Sequence, residues 1–135
     1  MRTGKHADIT EKIIKAFYAV YNTLGYGFSE RVYHLALVIE LQHMGMLASS
    51  EHKITVFYRS LPSGDFFLDI LVENCVIVEI KAVKELLPEH DAQVLNYLRA
   101  TIYEVGLLLN FGPEPTVKRL SFDNERKGNR SWIKQ

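Results

Sequence analysis

The chain has 135 residues, 47% apolar and 24% charged, enough for one domain with its own core. Sixteen basic and sixteen acidic side chains give a net charge of zero, which argues against a strong non-specific DNA binder. A single cysteine, Cys75, excludes an intramolecular disulfide and suits a reducing cytoplasm. The opening segment, MRTGKHADITEK, has no apolar core and predicts no signal peptide. No apolar run is long enough to predict a membrane span.

Residues 8–24 predict an amphipathic helix. Asp8 is placed to cap it with Glu11 three residues on, a capping-box pattern. Ile13, Ile14, Phe17, Tyr21 and Leu24 recur at helical spacing, and Gly25 supplies a stop. A second helix is expected over about 29–44, with Ser29 as its cap and Gly45 as its terminator. Val32, Leu35, Ala36 and Ile39 form an apolar stripe. Glu30, Tyr33, His34 and Leu37 lie along another side.

Residues 53–59, KITVFYR, alternate and are rich in β-branched and aromatic types, as in a strand. Leu61 to Asp65 reads as a turn. The stretch from Phe66 to Lys81, FFLDILVENCVIVEIK, reads as two strands joined tightly, with ionisable residues where buried strands should be apolar. Strand residues two apart share a face, so Glu79 and Lys81 share one and Val76, Val78 and Ile80 the other. Directly opposed residues of an antiparallel pair also share a face. A two-residue turn at Glu73-Asn74 opposes Asp69 to Val78; a three-residue loop, Glu73-Asn74-Cys75, opposes Asp69 to Glu79. If the three charges form one site, the loop is odd in length or a bulge intervenes.

A third helix is expected over 88–101, opened by Pro88, with His90, Gln93 and Tyr97 along one side. Glu104–Phe111 reads as a strand covered on both faces, and Thr116–Phe122 as a last strand. The order helix, helix, three strands, helix, strand, strand predicts an α/β sandwich with a mixed central sheet flanked by helices. Strands one to three form a meander, and the helical crossover sets the fourth parallel to a neighbour. Residues 1–122 make one domain and 123–135 a basic, flexible tail.

Charge is unevenly spread. Residues 51–115 hold five Lys/Arg and ten Asp/Glu, whereas 116–135 hold six and two. An acidic middle suits a cation and a basic tail a polyanion, although an ordinary solvated surface gives the same distribution. Two carboxylates on adjacent strands suit a hard divalent cation such as Mg²⁺. With a nearby ammonium, that set fits phosphodiester hydrolysis.

Asp69, followed by Glu79-Ile80-Lys81, resembles the acidic and E-x-K elements of the PD-(D/E)XK nuclease superfamily. Leu68 stands where many members carry Pro. Gln93-Val-Leu-Asn-Tyr97 resembles the Q-x-x-x-Y motif of RecB-like members. Gly27-Phe28-Ser29-Glu30-Arg31-Val32-Tyr33 resembles the signature of the GxxExxY proteins, a bacterial group within the superfamily. The likeness runs on through VIVEIKAV, AQVLNYLRA and GLLLNFG and covers most of residues 10–120. It implies a restriction-endonuclease-like fold and a nuclease acting on DNA or RNA. It also implies a Mg²⁺ (or Mn²⁺) site on Asp69, Glu79 and Glu30, with Lys81 and Gln93 beside it and Tyr97 touching the site or the nucleic acid.

Simpler roles compete at each position. Asp69, Glu79 and Lys81 could form a partly buried ion network, and Glu30 could simply favour its helix N-terminus. Gln93 could bond backbone, Tyr97 and Tyr33 could pack the core, and His90 could be a solvated first-turn residue. Cys75 has no partnered histidine and is no nucleophile. A non-catalytic binding module on the same fold, a homodimer and a partner chain from a defence or mobile-element system all remain open.

Overall fold

A computed structural model describes residues 4–128. Two helices, α1 (Ala7–Leu24) and α2 (Glu30–His43), come first. A meander follows of β1 (Ala48–Tyr58), β2 (Leu61–Val72) and β3 (Val76–Lys81). Helix α3 (Pro88–Arg99) then leads into β4 (Val105–Phe111) and β5 (Pro115–Ser121). The strands form one sheet in the order β1-β2-β3-β4-β5. Only β3 and β4 run parallel, because a helix rather than a hairpin joins them. The expected α/β sandwich with a mixed sheet and a helical crossover is the observed architecture.

The sheet separates two apolar layers. On one side Ile13, Phe17 and Val20 of α1 and Tyr33, Leu37 and Leu41 of α2 pack on Ile70, Val78, Ile80, Leu107 and Leu109. On the other, Val94 and Leu98 of α3 pack on Leu68, Leu71, Ile77 and Leu108. β3 and β4 lie between helices on both faces, which accounts for their nearly unbroken apolar runs.

Helix α2 turns differently from the apolar-stripe reading. Tyr33, His34, Leu37 and Leu41 are buried, whereas Val32, Leu35 and Ile39 are exposed. The aromatic ring decides this. Tyr33 stacks on Phe111 with ring centres 4.3 Å apart, and Leu37 and Leu41 on the same side are fully buried with it. Its hydroxyl accepts the Phe28 N–H at 3.1 Å and donates to the Gly25 carbonyl. The tight 25–28 connection is therefore latched to the helix it precedes. Ser29 caps α2 as expected, its hydroxyl accepting the Val32 N–H.

Other local expectations change. α1 starts from His6 in the left-handed region (φ 56°) without a side-chain cap, so the Asp8–Glu11 box does not open it. Gly25 does end it, at φ 69°, its N–H bonded to the Tyr21 carbonyl. β1 begins at Ala48, five residues before the expected Lys53. The expected turn over 61–65 belongs to β2. The reversal is made at Arg59-Ser60, both at positive φ, with Tyr58 paired to Leu61; this is the two-residue hairpin geometry that matches strand twist. α3 ends at Arg99 rather than 101. The start of the expected flexible tail is folded. Asn124–Arg126 form a 3₁₀ turn, and the buried Lys127 ammonium donates to the Thr101 and Tyr103 carbonyls. The remaining tail residues, 129–135, lie outside the described residues.

Replacing Tyr33 by Phe keeps the stack on Phe111 and removes the latch. Losing one partner of a buried polar pair costs about 1–3 kcal/mol. Tyr33→Phe should lower the thermal midpoint accordingly, read by circular dichroism; an unchanged midpoint would show that the latch is not holding the 25–28 connection.

Candidate active site

The loop between β2 and β3 decides whether the acids can meet. Val72 pairs with Val76, leaving Glu73, Asn74 and Cys75 as a three-residue loop. Glu73 and Asn74 take positive φ values of 52° and 55°, and the Cys75 N–H closes onto the Val72 carbonyl at 3.0 Å. The Glu73 carboxylate and N–H also grip the backbone of Leu47. This is the odd-length loop that brings Asp69 opposite Glu79.

The backbone ladder between the strands runs Val72↔Val76, Leu71↔Ile77, Ile70↔Val78 and then stops. At the next position side chains take over. The Asp69 N–H donates to Glu79 Oε1 at 3.0 Å, and the Ile80 N–H donates to Asp69 Oδ2 at 2.8 Å. Each carboxylate thus accepts a backbone N–H from the opposite strand. On its other side Asp69 is also left out of the ladder, without a change of register: pairing with β1 passes from Ser50↔Ile70 to His52↔Leu68, omitting Glu51, which sits at φ 52°. Side-chain direction flips there. Ile70 packs towards α1 and α2, yet Leu68 and Phe66, also at even positions, pack towards α3.

Glu79 is only 3% exposed. Burial first, and the facing Asp69 second, push its pKa up to about 9, while the Asp69 N–H and Lys81 pull the other way. Burial and the facing acid thus favour the protonated form of Glu79. Lys81, half-buried and two residues on, shares its face. Glu30, in the first turn of α2, has its pKa raised by burial first. Lys81 opposes that shift, Asp69 adds to it, and His34 and His90 oppose it. Glu30 is thus within electrostatic reach of Asp69 and Lys81. Among the described residues, however, no three His, Cys, Asp or Glu side chains are gathered closely enough to hold an ion.

Helix α3 supplies the remaining candidates. Tyr97 stacks on Phe66 at 4.6 Å, the rings 7° from parallel. Its phenol pKa is raised by burial, then by Glu79 and Asp69, which sets it beside the acids. Gln93 lies half-buried one turn earlier on α3. His90 is not simply solvated: its Nδ1 accepts the Leu87 N–H at 3.0 Å and caps α3. His34 bonds Ser50 Oγ through Nε2. Burial raises the Cys75 thiol pKa, the opposite of a nucleophile's need.

Reading the sequence assigned no role to Asn110 and Gly112, which fix the segment leaving the E-x-K element. Asn110 is paired to Lys81 across the parallel ladder. Its side chain accepts the Val83 N–H at 2.9 Å and donates to the Val83 carbonyl at 3.0 Å. A Cβ on Gly112 would stand 2.3 Å from that carbonyl, so only glycine fits. The buried polar Asn in the run LLLNFG was the available signal.

An α/β sandwich with a mixed five-stranded sheet and two acids at a splayed strand pair is a restriction-endonuclease-like domain. A family model described as the PD-(D/E)XK nuclease superfamily matches residues 7–120, and the chain belongs to that superfamily. The crystal structure of SSO0001 matches with a TM-score of 0.52 at 20% identity, over 87% of this chain and 59% of that one; at that identity it shares the fold. The chain thus spans under two thirds of that structure's length. No curated protein matches.

The raised pKa of Glu79 makes stability depend on pH. Its folded pKa, about 9, exceeds the ordinary 4.5, so its contribution is complete below about 4.5 and is lost as pH rises through about 9. The metal-free protein should lose thermal stability across that window, with a slope of up to about 1.4 kcal/mol per pH unit. Glu79→Gln should flatten the profile. Parallel profiles for wild type and variant, measured in chelator, would contradict a buried protonated Glu79.

Proposed function

We propose that this chain is a metal-dependent nuclease of the GxxExxY group, hydrolysing phosphodiester bonds in DNA or RNA in the cytoplasm. The reciprocal Asp69–Glu79 pair with Lys81 beside it carries the reading. Two facing carboxylates, one of them favoured in its protonated form by burial and the facing acid, are an all-oxygen donor set that fits Mg²⁺ or Mn²⁺. Asp69 and Glu79 would hold the ion, with Glu30 as the third acid. When bound, such an ion lowers the pKa of a coordinated water and polarises a phosphoryl oxygen.

The chain's own groups do the rest. Lys81 orients the attacking water and offsets charge developing on the phosphate. Gln93 supports the acids, and Tyr97 contacts the nucleic acid. The group assignment draws on Gly27, Glu30 and Tyr33: the loop carrying Gly27 is latched by the Tyr33 hydroxyl, and Glu30 follows directly on that latch. The motif thereby ties the third acid to the core.

A second reading, a non-catalytic nucleic-acid- or protein-binding module on the same fold, is favoured by the lack of a three-ligand cluster among the described residues. Cleavage and metal titration separate the two. Asp69→Ala and Lys81→Ala should each reduce Mg²⁺-dependent cleavage by about a hundredfold or more, the fold being retained but less stable in Asp69→Ala, which leaves the buried Ile80 N–H without its acceptor; Glu30→Gln should reduce it less. Calorimetry should show metal affinity rising with pH towards 9, because the ion displaces the Glu79 proton. Equal cleavage by wild type and both alanine variants, or no heat at millimolar metal, would favour the binding module.

A further inference from the structure

Beyond the break at Glu51 and Asp69, the β1–β2 hairpin continues as an arm that leans over α3. A hollow of about 370 Å³ lies beneath it, lined by Val56 and Phe66 from the arm and by Asn96, Tyr97, Arg99 and Ala100 from α3 and its end. Its wall is mainly apolar, with one amide and one guanidinium, the composition of a small-ligand site. Tyr97 ties it to the acids: its ring stacks on Phe66, and its phenol feels the charges of Glu79 and Asp69.

Arg99 also borders a second hollow, shared with Phe122, Arg126 and Lys127. There the Arg126 guanidinium lies over the Phe122 ring, 5.0 Å from its centre. A path along α3 thus leads from the carboxylates, past aromatic rings, to two arginines. Cations interleaved with aromatic surface suit an unpaired strand, because every base has a π-face and every phosphate a charge. A paired base cannot leave its stack to enter a side hollow without a cost of a few kcal/mol.

We propose that the hollow between the hairpin arm and α3 receives an unpaired nucleobase beside the phosphate to be cut, while Arg99 and Arg126 hold the strand's phosphates. The substrate class is single-stranded or frayed nucleic acid. The inference rests on the nuclease reading only for the cut phosphate; the hollow's preference for unpaired bases is independent of turnover.

The test is fluorescence anisotropy in chelator, where no cleavage occurs, with a short labelled single strand, as DNA and as RNA, and the matching blunt duplexes. The single strand should bind at least about tenfold more tightly than the duplex, the worth of one stacked base. Asn96→Glu, at an exposed helix position, should weaken single-strand binding about tenfold while leaving the thermal midpoint unchanged. Paired Arg99→Gln and Arg126→Gln substitutions should weaken it and flatten its salt dependence. Lys12→Gln, on the exposed side of α1, should change nothing. Equal binding of duplex and single strand, no binding, or indifference to Asn96→Glu would overturn the proposal. Binding and cleavage by the wild type separate the two ideas: single-strand preference with no cleavage keeps the hollow and sinks the nuclease, whereas cleavage without that preference does the reverse.

Discussion

The β2–β3 ladder gives way at one point, and the site depends on how that gap is closed. Past Ile70 and Val78 the strands no longer bond main chain to main chain. The carboxylates of Asp69 and Glu79 accept the N–H groups instead. Buried N–H groups without partners are costly, so the acids are structural before they are chemical. They satisfy backbone donors that a splayed strand pair would otherwise expose. This also explains how two acids coexist next to an apolar core: each is compensated by a backbone dipole, and burial favours the protonated form of one.

Three further devices hold the surroundings of that gap. The Tyr33 hydroxyl ties the 25–28 connection to α2 and so fixes where Glu30 starts. Asn110 and Gly112 clasp Val83 and fix how the chain leaves Lys81. The His90 ring caps α3 and sets the first turn of the helix carrying Gln93 and Tyr97. None needs a long-range rearrangement. Each is a pair of bonds that orders a segment leading into or out of the centre.

Much of this was readable from residues. The alternation around Glu79 and Lys81, joined to the parity of the connecting loop, set Asp69 opposite Glu79 on the condition that the three charges form one site. The continuous apolar run at Val105–Phe111 announced a strand covered on both sides. What failed did so for physical reasons. The stripe of Val32, Leu35 and Ile39 has helical spacing, but spacing cannot rank it against the competing side, where stacking of Tyr33 on Phe111 depends on a strand seventy-odd residues away. Pro62 and Gly64 looked like a turn because their local preferences are those of turns. The sheet places them at an irregularity in an exposed stretch of strand, where pairing shifts between Val56↔Gly64 and Phe57↔Pro62, a setting that accommodates both. The roles of Asn110 and Gly112 are tertiary: each is defined by the approach of Val83, which no local pattern encodes.

The acids lie far along β2 from the β1–β2 reversal, and this governs how the hairpin can vary. In a continuous ladder, an error of one residue anywhere along a strand is transmitted to every later position. Here the β1–β2 register is the same on both sides of the unpaired Glu51–Asp69 position, and its one shift lies further out, between Val56 and Phe57. Residues could be added or removed in pairs at the Arg59-Ser60 reversal, lengthening or shortening the arm, without shifting Asp69 against Glu79. The acids are aligned at the other end of β2, by the 73–75 loop, so reach and shape can drift in descendants of this chain while the acids stay in step.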